Sequence, residues 1–288
     1  MIKKILLILT MCVLTGQVYA QDNETIIAQQ GDDVIIDVLQ AGYDNSIDVD
    51  LGLASGDSGN EFEVKQDGND NNVFLSVGGN TNSLSLYQEG AKNSIGWTDT
   101  WGSGLYWGGD LDGNYNNIMI KQYTDTGKNI ADNYFGFHIQ GNNNNVKGGQ
   151  GYYINDSGTY TRSQGWGDNY MRLDIHGDDN NVITTQRTDA ANNGATAYVN
   201  VYADYNDVYV QQRQGSHTLN LTINNDSNDV WITQAGQPAH TSTITLTGAY
   251  PTDLTLQQGV HATTTAQTYT LFQNCQTVGG CSVSITQE

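Results

Sequence analysis

The sequence predicts an all-β fold: a β-solenoid of 22-residue strand–turn–strand rungs, with two parallel in-register sheets face to face and about ten rungs. Three observations carry this expectation. A unit with Asn at i, apolar residues at i+2 and i+4, Gln at i+6 and Gly at i+8 restarts every eleven residues, as at Asn60, Phe62, Val64, Gln66, Gly68 and then Asn71. Within a unit, apolar and polar residues alternate, which is the period of a strand. Between units lie four-residue turns such as Asp67-Gly68-Asn69-Asp70, rich in residues that tolerate positive φ and too short for a crossover helix.

Taken in order, residues 1–20 read as a signal peptide. Lys3 and Lys4 form its basic start, Ile5 to Leu14 an apolar stretch broken only by Thr10, and Val18-Tyr19-Ala20 a cleavage site. About ten apolar residues fall well short of the roughly 20 that span a bilayer. Residues 21–288 read as a single repeat domain. Its units start at Asn23, Val34 and Asn45, then at Asn60, Asn71, Asn82 and Asn93. They return at Asn116, Asn133, Asn144, Asn169 and Asn180 and continue through Ala195, Asn206, His217 and Asn228. Looser units start at Ser242, Thr252, Gln267 and Cys281. Of the forty i+2 and i+4 slots in these twenty units, only Thr25, Gly148 and Thr184 are not apolar, so the inward face is nearly continuous. Insertions at 53–59, 98–115 and 153–168 break the step of eleven. The last slots, Val283, Ile285 and Gln287, put a strand at the end of the sequence, where an unpaired edge accepts another strand.

One such strand has too little apolar surface to bury alone, so it must stack on copies of itself. Stacking puts Asn over Asn and Gln over Gln, and their amides then hydrogen-bond along the stack. The expected ladder comprises Asn23, Gln29, Gln40, Asn60, Gln66, Asn71, Asn82, Gln88, Asn93, Asn116, Gln122, Asn180, Gln186, Asn206, Gln212, Asn228 and Gln234. Each buried amide paired in this way avoids a penalty of about 1–3 kcal/mol. Gly31, Gly42, Gly68, Gly79, Gly90 and Gly236 are the expected turn glycines. Removal of Cys12 with the signal peptide leaves Cys275 and Cys281, six apart in an exported chain, as a candidate disulfide; two free thiols are the alternative.

The link Gln-x-Gly-x2-Asn, as in Gln66-Asp-Gly68-Asn-Asp-Asn71 and Gln88-Glu-Gly90-Ala-Lys-Asn93, resembles the repeat of the curlin family, the subunits of curli amyloid fibres. Asn23, Gln29 and Gly31 match the same pattern near the start, and Asn228, Gln234 and Gly236 match it late. The resemblance covers most of residues 21–288, with about half the units matching well. It implies secretion across both membranes of a diderm bacterium, surface polymerisation, and roles in biofilm matrix and adhesion. The implied partners are copies of this chain, other curlin-like subunits and outer-membrane export machinery, with a host or abiotic surface open as an adhesion target. The chain departs from the family in having Asn where the family has Ser, larger apolar residues where it has Ala, about twice the rungs, and repeats that begin almost at the cleavage site.

Charge narrows the function further. With 11 Lys+Arg against 31 Asp+Glu the net charge is −20, and loss of Lys3 and Lys4 leaves 9 against 31, or −22. Such a chain is a poor match for nucleic acid, whose phosphates call for Lys and Arg. Acids in turns and on outward faces, such as Asp48, Glu61, Glu63, Asp207 and Asp229, repel their copies in a stack and act as a brake on premature assembly. No catalytic, cofactor-binding or metal-ligating set is expected: His138, His176, His217, His240 and His261 are scattered, and the paired carboxylates lie in turns without a shared context. Trp101, Tyr106 and Trp107 in the second insertion read as aromatics packed over a sheet, with a sugar or surface site as the alternative. Outward Thr is concentrated after Thr218 and reads as irregular. The expected function is a secreted structural fibre subunit and not an enzyme. The alternative is a monomeric solenoid that binds carbohydrate, a surface or ice.

Overall fold

The computed structural model describes residues 23–29, 35–51, 59–96, 109–124, 133–154, 160–162, 168–188, 194–259 and 265–287. The expected signal peptide, Gly31, His261, most of the first insertion, and Trp97, Trp101, Tyr106 and Trp107 lie outside the described residues. Among the described residues there are 22 strands and no helix.

The strands alternate between two sheets, and each consecutive pair makes a rung. The first rungs are β1 (Glu24–Gln29) with β2 (Ile35–Ala41), β3 (Ser46–Leu51) with β4 (Glu61–Asn69), and β5 (Asn72–Gly78) with β6 (Ser83–Ala91). The fourth joins two short strands, β7 (Asn93–Ile95) and β8 (Gly109–Asp112), to β9 (Asn117–Tyr123). The fifth is β10 (Asn133–Gln140) with β11 (Asn145–Gln150). A hairpin of β12 (Tyr152–Ile154) and β13 (Tyr160–Arg162) follows. Then come β14 (Tyr170–His176) with β15 (Asn181–Arg187), the extended segment 195–203 with β16 (Asp207–Arg213), and β17 (Thr218–Ile223) with β18 (Asp229–Ala235). β19 (Thr241–Gly248) with β20 (Thr252–Gln258) and β21 (Thr268–Cys275) with β22 (Cys281–Gln287) complete the stack.

The even-numbered partners, with β9, β11 and β15, form one ten-stranded sheet in the order β2-β4-β6-β9-β11-β15-β16-β18-β20-β22. All its pairs are parallel and in register: Val64 lies beside Leu86, and Val208 beside Val230. The facing layer is a seven-stranded sheet from β1 to β14 and a three-stranded sheet of β17, β19 and β21. Segment 195–203 bridges them through Tyr170↔Thr196↔Thr218, and positive φ at Val199, Asn200 and Val201 keeps it from regular strand geometry. Inward residues of both layers, such as Phe62, Leu84, Ile118, Phe135, Leu173 and Leu221, make one continuous buried core.

Of the three non-apolar slots, one has a steric reason. A Cβ on Gly148 would lie 2.3 Å from the Phe135 ring, so the large ring and the glycine fill one space between them. Thr184 is buried with its hydroxyl unpaired. Thr25 donates its hydroxyl hydrogen to Gln40 Oε1 at 2.8 Å.

Three boundaries differ from the sequence expectation. The second insertion does not run to residue 115: the chain leaves the fourth rung after Ile95 and re-enters at Gly109, which takes the i+4 slot beside Leu75 that Trp97 was expected to fill. A Cβ on Gly109 would meet Leu75 and Phe137 at 2.9 Å, so bulky neighbours fill that slot from either side. The third insertion opens at Tyr152 and folds back as a hairpin on the outer face of the ten-stranded sheet. The unit placed at Ser242 starts two residues earlier, at His240, because Thr218 pairs with Thr241 and Leu219 with Ser242. Ser242 therefore fills an inward slot, where its hydroxyl bonds Gln234 and Gln258.

Candidate functional site: the ladders and the terminal rung

The amide ladders are the feature on which most of the sequence-predicted residues converge. In the ten-stranded layer, the slot-i residues Asn60, Asn82, Asn116, Asn144, Asn180, Asn206 and Asn228 are all buried. Each Oδ1 accepts the backbone N–H of the same slot one rung on: Asn82 from Asn116 at 3.0 Å, Asn144 from Asn180 at 3.0 Å, and Asn228 from Thr252 at 2.7 Å. The Nδ2 groups donate to turn carbonyls, as Asn144 does to Gly177 at 2.8 Å. The other layer repeats this from Asn23 through Asn45 and Asn71 to Asn93, and from Asn133 to Asn169, while Asn93 Oδ1 accepts the side-chain Nδ2 of Asn133 at 3.0 Å. These contacts explain Asn over a shorter residue at this slot: its amide reaches both a backbone donor above and a carbonyl at the corner.

The Gln ladder runs on one layer only. Gln40, Gln66, Gln88, Gln122, Gln150, Gln186, Gln212, Gln234, Gln258 and Gln287 form an unbroken chain in which each Nε2 donates to the next Oε1 at 2.7–3.0 Å. The same Nε2 groups donate to backbone oxygens across the corner, as Gln150 does to Tyr134 at 2.8 Å. In the facing layer the i+6 slot of the inner rungs holds apolar residues instead, including Val77, Ile139, Ile175 and Ile223, and Gln stands there only in the end rungs, at Gln29 and Gln273. Gln29 belongs to that layer: its backbone pairs with Leu51, so it stands off the ladder to which the repeat assigned it. Alternation of Gln with Leu, Val or Ile at i+6 was the signal that separated the two layers.

At the corners Gly42, Gly68, Gly79, Gly90 and Gly236 all have positive φ. Gly68 shows why side chains are excluded: φ is +134° and a Cβ would lie 1.8 Å from the Gly90 carbonyl oxygen of the next rung. Gly113 and Gly141 occupy equivalent corners; Gly141 follows from the same count of eight from Asn133, whereas Gly113 lies beyond the insertion that breaks the count from Asn93.

His217 and His240 substitute for Asn in the facing layer. Both are buried and stacked, with ring centroids 5.0 Å apart and planes within 9°. His217 Nδ1 accepts the His240 N–H at 3.1 Å, and His240 Nδ1 accepts the Gln267 N–H at 3.2 Å. His217 Nε2 donates to the Arg213 carbonyl at 2.9 Å, so the neutral ring with its proton on Nε2 is the form that fits. Burial pushes the His217 ring down to about 4 and also lowers His240.

On the outer face of the seven-stranded sheet, His138 Nδ1 lies 3.1 Å from Asp110, whose hydrogen bond raises the His138 pKa. Asp174 is buried there between Arg172 (3.0 Å) and Asn200 (2.6 Å). Among the described residues no group of three or more His, Cys, Asp or Glu is arranged to hold a metal ion. Outward Thr on β17, β19 and β21 falls into columns with interruptions: Thr218, Thr241 and Thr268, then Asn220, Thr243 and Thr270, then Thr222, Thr245 and Phe272.

The last rung is only half covered. Tyr269, Leu271, Val283 and Ile285 pack on the core from one side and remain partly exposed. Cys275 and Cys281 form a disulfide, Cα–Cα 5.8 Å, that joins the end of β21 to the start of β22. At the opposite end Ile27, at an inward slot, is 40% exposed and Val38 packs partly buried on the core, which leaves apolar surface at both ends of the described stack. No family model, no curated protein and no solved structure matches this chain.

Proposed function

We propose that this chain is a secreted structural subunit of an extracellular curli-like amyloid fibre, polymerising by rung-on-rung strand stacking in biofilm matrix and cell adhesion. The observation that carries the reading is the polarity of the ladders. Every Gln Nε2 donates toward the C-terminal rung, so one end of the ladder offers an Oε1 acceptor, at Gln40, and the other a donor, at Gln287. A second copy stacked head to tail continues the Gln ladder, both sheets and the core, whereas a tail-to-tail pair sets donor against donor. Partly exposed core residues at either end supply the apolar surface that such a joint buries. The repeat's resemblance to the curlin family supports the same reading. The test is incubation of the purified mature chain: fibres giving a cross-β reflection near 4.8 Å support it, and a protein that stays monomeric at all concentrations rejects it.

A second reading, a binding module, is favoured by one observation, the outward columns on β17, β19 and β21 that hold mostly Thr, with Asn220 and Phe272 among them. A chain that stays monomeric and binds ice or glycan through that face would establish it.

A further inference from the structure

The outward column at i+3 of the ten-stranded sheet reads Ile183, Tyr209, Trp231, Thr255 in successive rungs. The hairpin covers its first part: Ile154 packs on Ile183 and Tyr209, and the Tyr209 hydroxyl donates to the Ile154 carbonyl at 2.7 Å. Trp231 stacks on Tyr209, with centroids 4.4 Å apart and planes 16° apart. Its other ring face looks over Thr255, which is too small to continue the stack. An open hollow of about 380 Å³ results, lined by Asp229, Trp231, Asp253, Leu254, Thr255 and Gln257.

The charge beside this shelf is unbalanced. Asp207, Asp229 and Asp253 stand in register on adjacent strands. Asn181 donates to Asp207 at 2.9 Å, but among the described residues no cation pairs with Asp229 or Asp253. Burial first, then the charges of Asp207 and Asp253, hold the Asp229 carboxyl above its usual range. A bare indole face next to two uncompensated carboxylates asks for a ligand that is flat, cationic and rich in N–H donors. Guanidinium meets all three demands: it stacks on aromatic rings, keeps its charge, and presents a planar fork to carboxylates. An ammonium lacks the plane and the fork, and a neutral sugar leaves the carboxylates unpaired.

We propose that Trp231, Asp229 and Asp253 form a binding site for the guanidinium group of an arginine side chain, with the group stacked on the open indole face above Thr255. The site lies on the outer face and does not depend on fibre assembly.

The test is a nuclear magnetic resonance titration of the mature chain under non-assembling conditions, following the Trp231 indole N–H, assigned with Trp231→Phe. The probes are N-acetyl-arginine methylamide, its lysine counterpart and methyl β-glucoside. The expected result is a saturable shift with the arginine probe, weakened by salt, and binding of the lysine probe about tenfold weaker. Asp229→Asn with Asp253→Asn is expected to cost about tenfold, the loss of a charge-assisted bond. Thr255→Trp, which fills the hollow by extending the stack, is expected to abolish binding; if it disturbs the core amides, the double Asn variant decides. No saturable shift with the arginine probe, an equal response to the glucoside, or unchanged affinity in the double Asn variant would overturn the proposal.

Discussion

Replacing Asn144 with Ala tests the Asn ladder at one rung. Asn144 is fully buried between β9 and β15, and its side chain serves three groups. Its Oδ1 accepts the Asn180 backbone N–H at 3.0 Å and the Asn180 Nδ2 at 3.1 Å, and its Nδ2 donates to the Gly177 carbonyl at 2.8 Å. The Asn180 Nδ2 keeps a second partner in the Ala203 carbonyl at 2.8 Å, so it is not orphaned. The Asn180 N–H loses its acceptor inside the stack, at about 1–3 kcal/mol, and the half-exposed Gly177 carbonyl adds less because water reaches it. The sum is about 2–3 kcal/mol at this rung, a roughly 30- to 140-fold drop in amide protection. Hydrogen exchange at Asn180 and its neighbours reads this directly, and protection at β20 and β22 should hardly change, because a solenoid rung touches only its neighbours. Asn117→Ala, at an exposed position on the same sheet, is the control and is expected to stay within about 0.5 kcal/mol. If Asn144→Ala changes protection no more than Asn117→Ala, the ladder is decoration and the reasoning fails.

Four other outcomes follow. Gly68→Ala and Gly279→Ala both strain a positive φ (+134° and +96°), but only the first places a Cβ against the next rung's Gly90 carbonyl, so it is expected to lower the denaturation midpoint far more than Gly279→Ala, whose Cβ meets nothing within 4 Å; equal midpoints would contradict the corner account. His217 is neutral when folded because its pKa is lowered to about 4, so its contribution is present above the unfolded value near 6.5 and is lost as pH falls toward 4, about 3 kcal/mol in all. Exchange at the His240 and Gln267 amides should therefore speed up over that window, and His217→Asn with His240→Asn, which keeps an acceptor without a titrating ring, should remove the dependence. Over pH 7 to 4.5 neutralisation of the carboxylates acts oppositely on assembly, and thioflavin growth curves of the wild-type chain should accelerate; slowing would reject the acidic brake. Reduction of Cys275–Cys281 should cost β21 and β22 about 2 kcal/mol of protection and leave the middle rungs unchanged, and a chain-wide loss would show that the staple does more than close its own loop.

Much of the stack was legible because a period of two inside a period of eleven specifies strand, face and corner together. Asn60, Phe62, Val64, Gln66 and Gly68 take the ladder, core and corner positions that their spacing implies. What escaped depended on partners distant in sequence. Gly109 entered a core slot because Leu75 and Phe137 fill the space around it, and nothing in its own segment marks that. His240 was passed over as a slot-i residue because Ser242, two residues on, begins a run that looks like a unit, and only the pairing with His217 sets the register. The outer cluster of Ile154, Ile183, Tyr209 and Trp231 breaks the rule that outward positions are polar, and the returning hairpin that covers part of it is specified by no repeat.

The central claim is that the Gln ladder of one subunit continues into the next. Helical reconstruction of fibres from the mature chain tests it most directly. Ten strands in one sheet, each about 4.8 Å from the next, predict one subunit per rise of roughly 48 Å, with β22 of one copy hydrogen-bonded in parallel to β2 of its neighbour and Gln287 aligned with Gln40. A rise unrelated to ten rungs, or subunits joined through their outer faces, would contradict it.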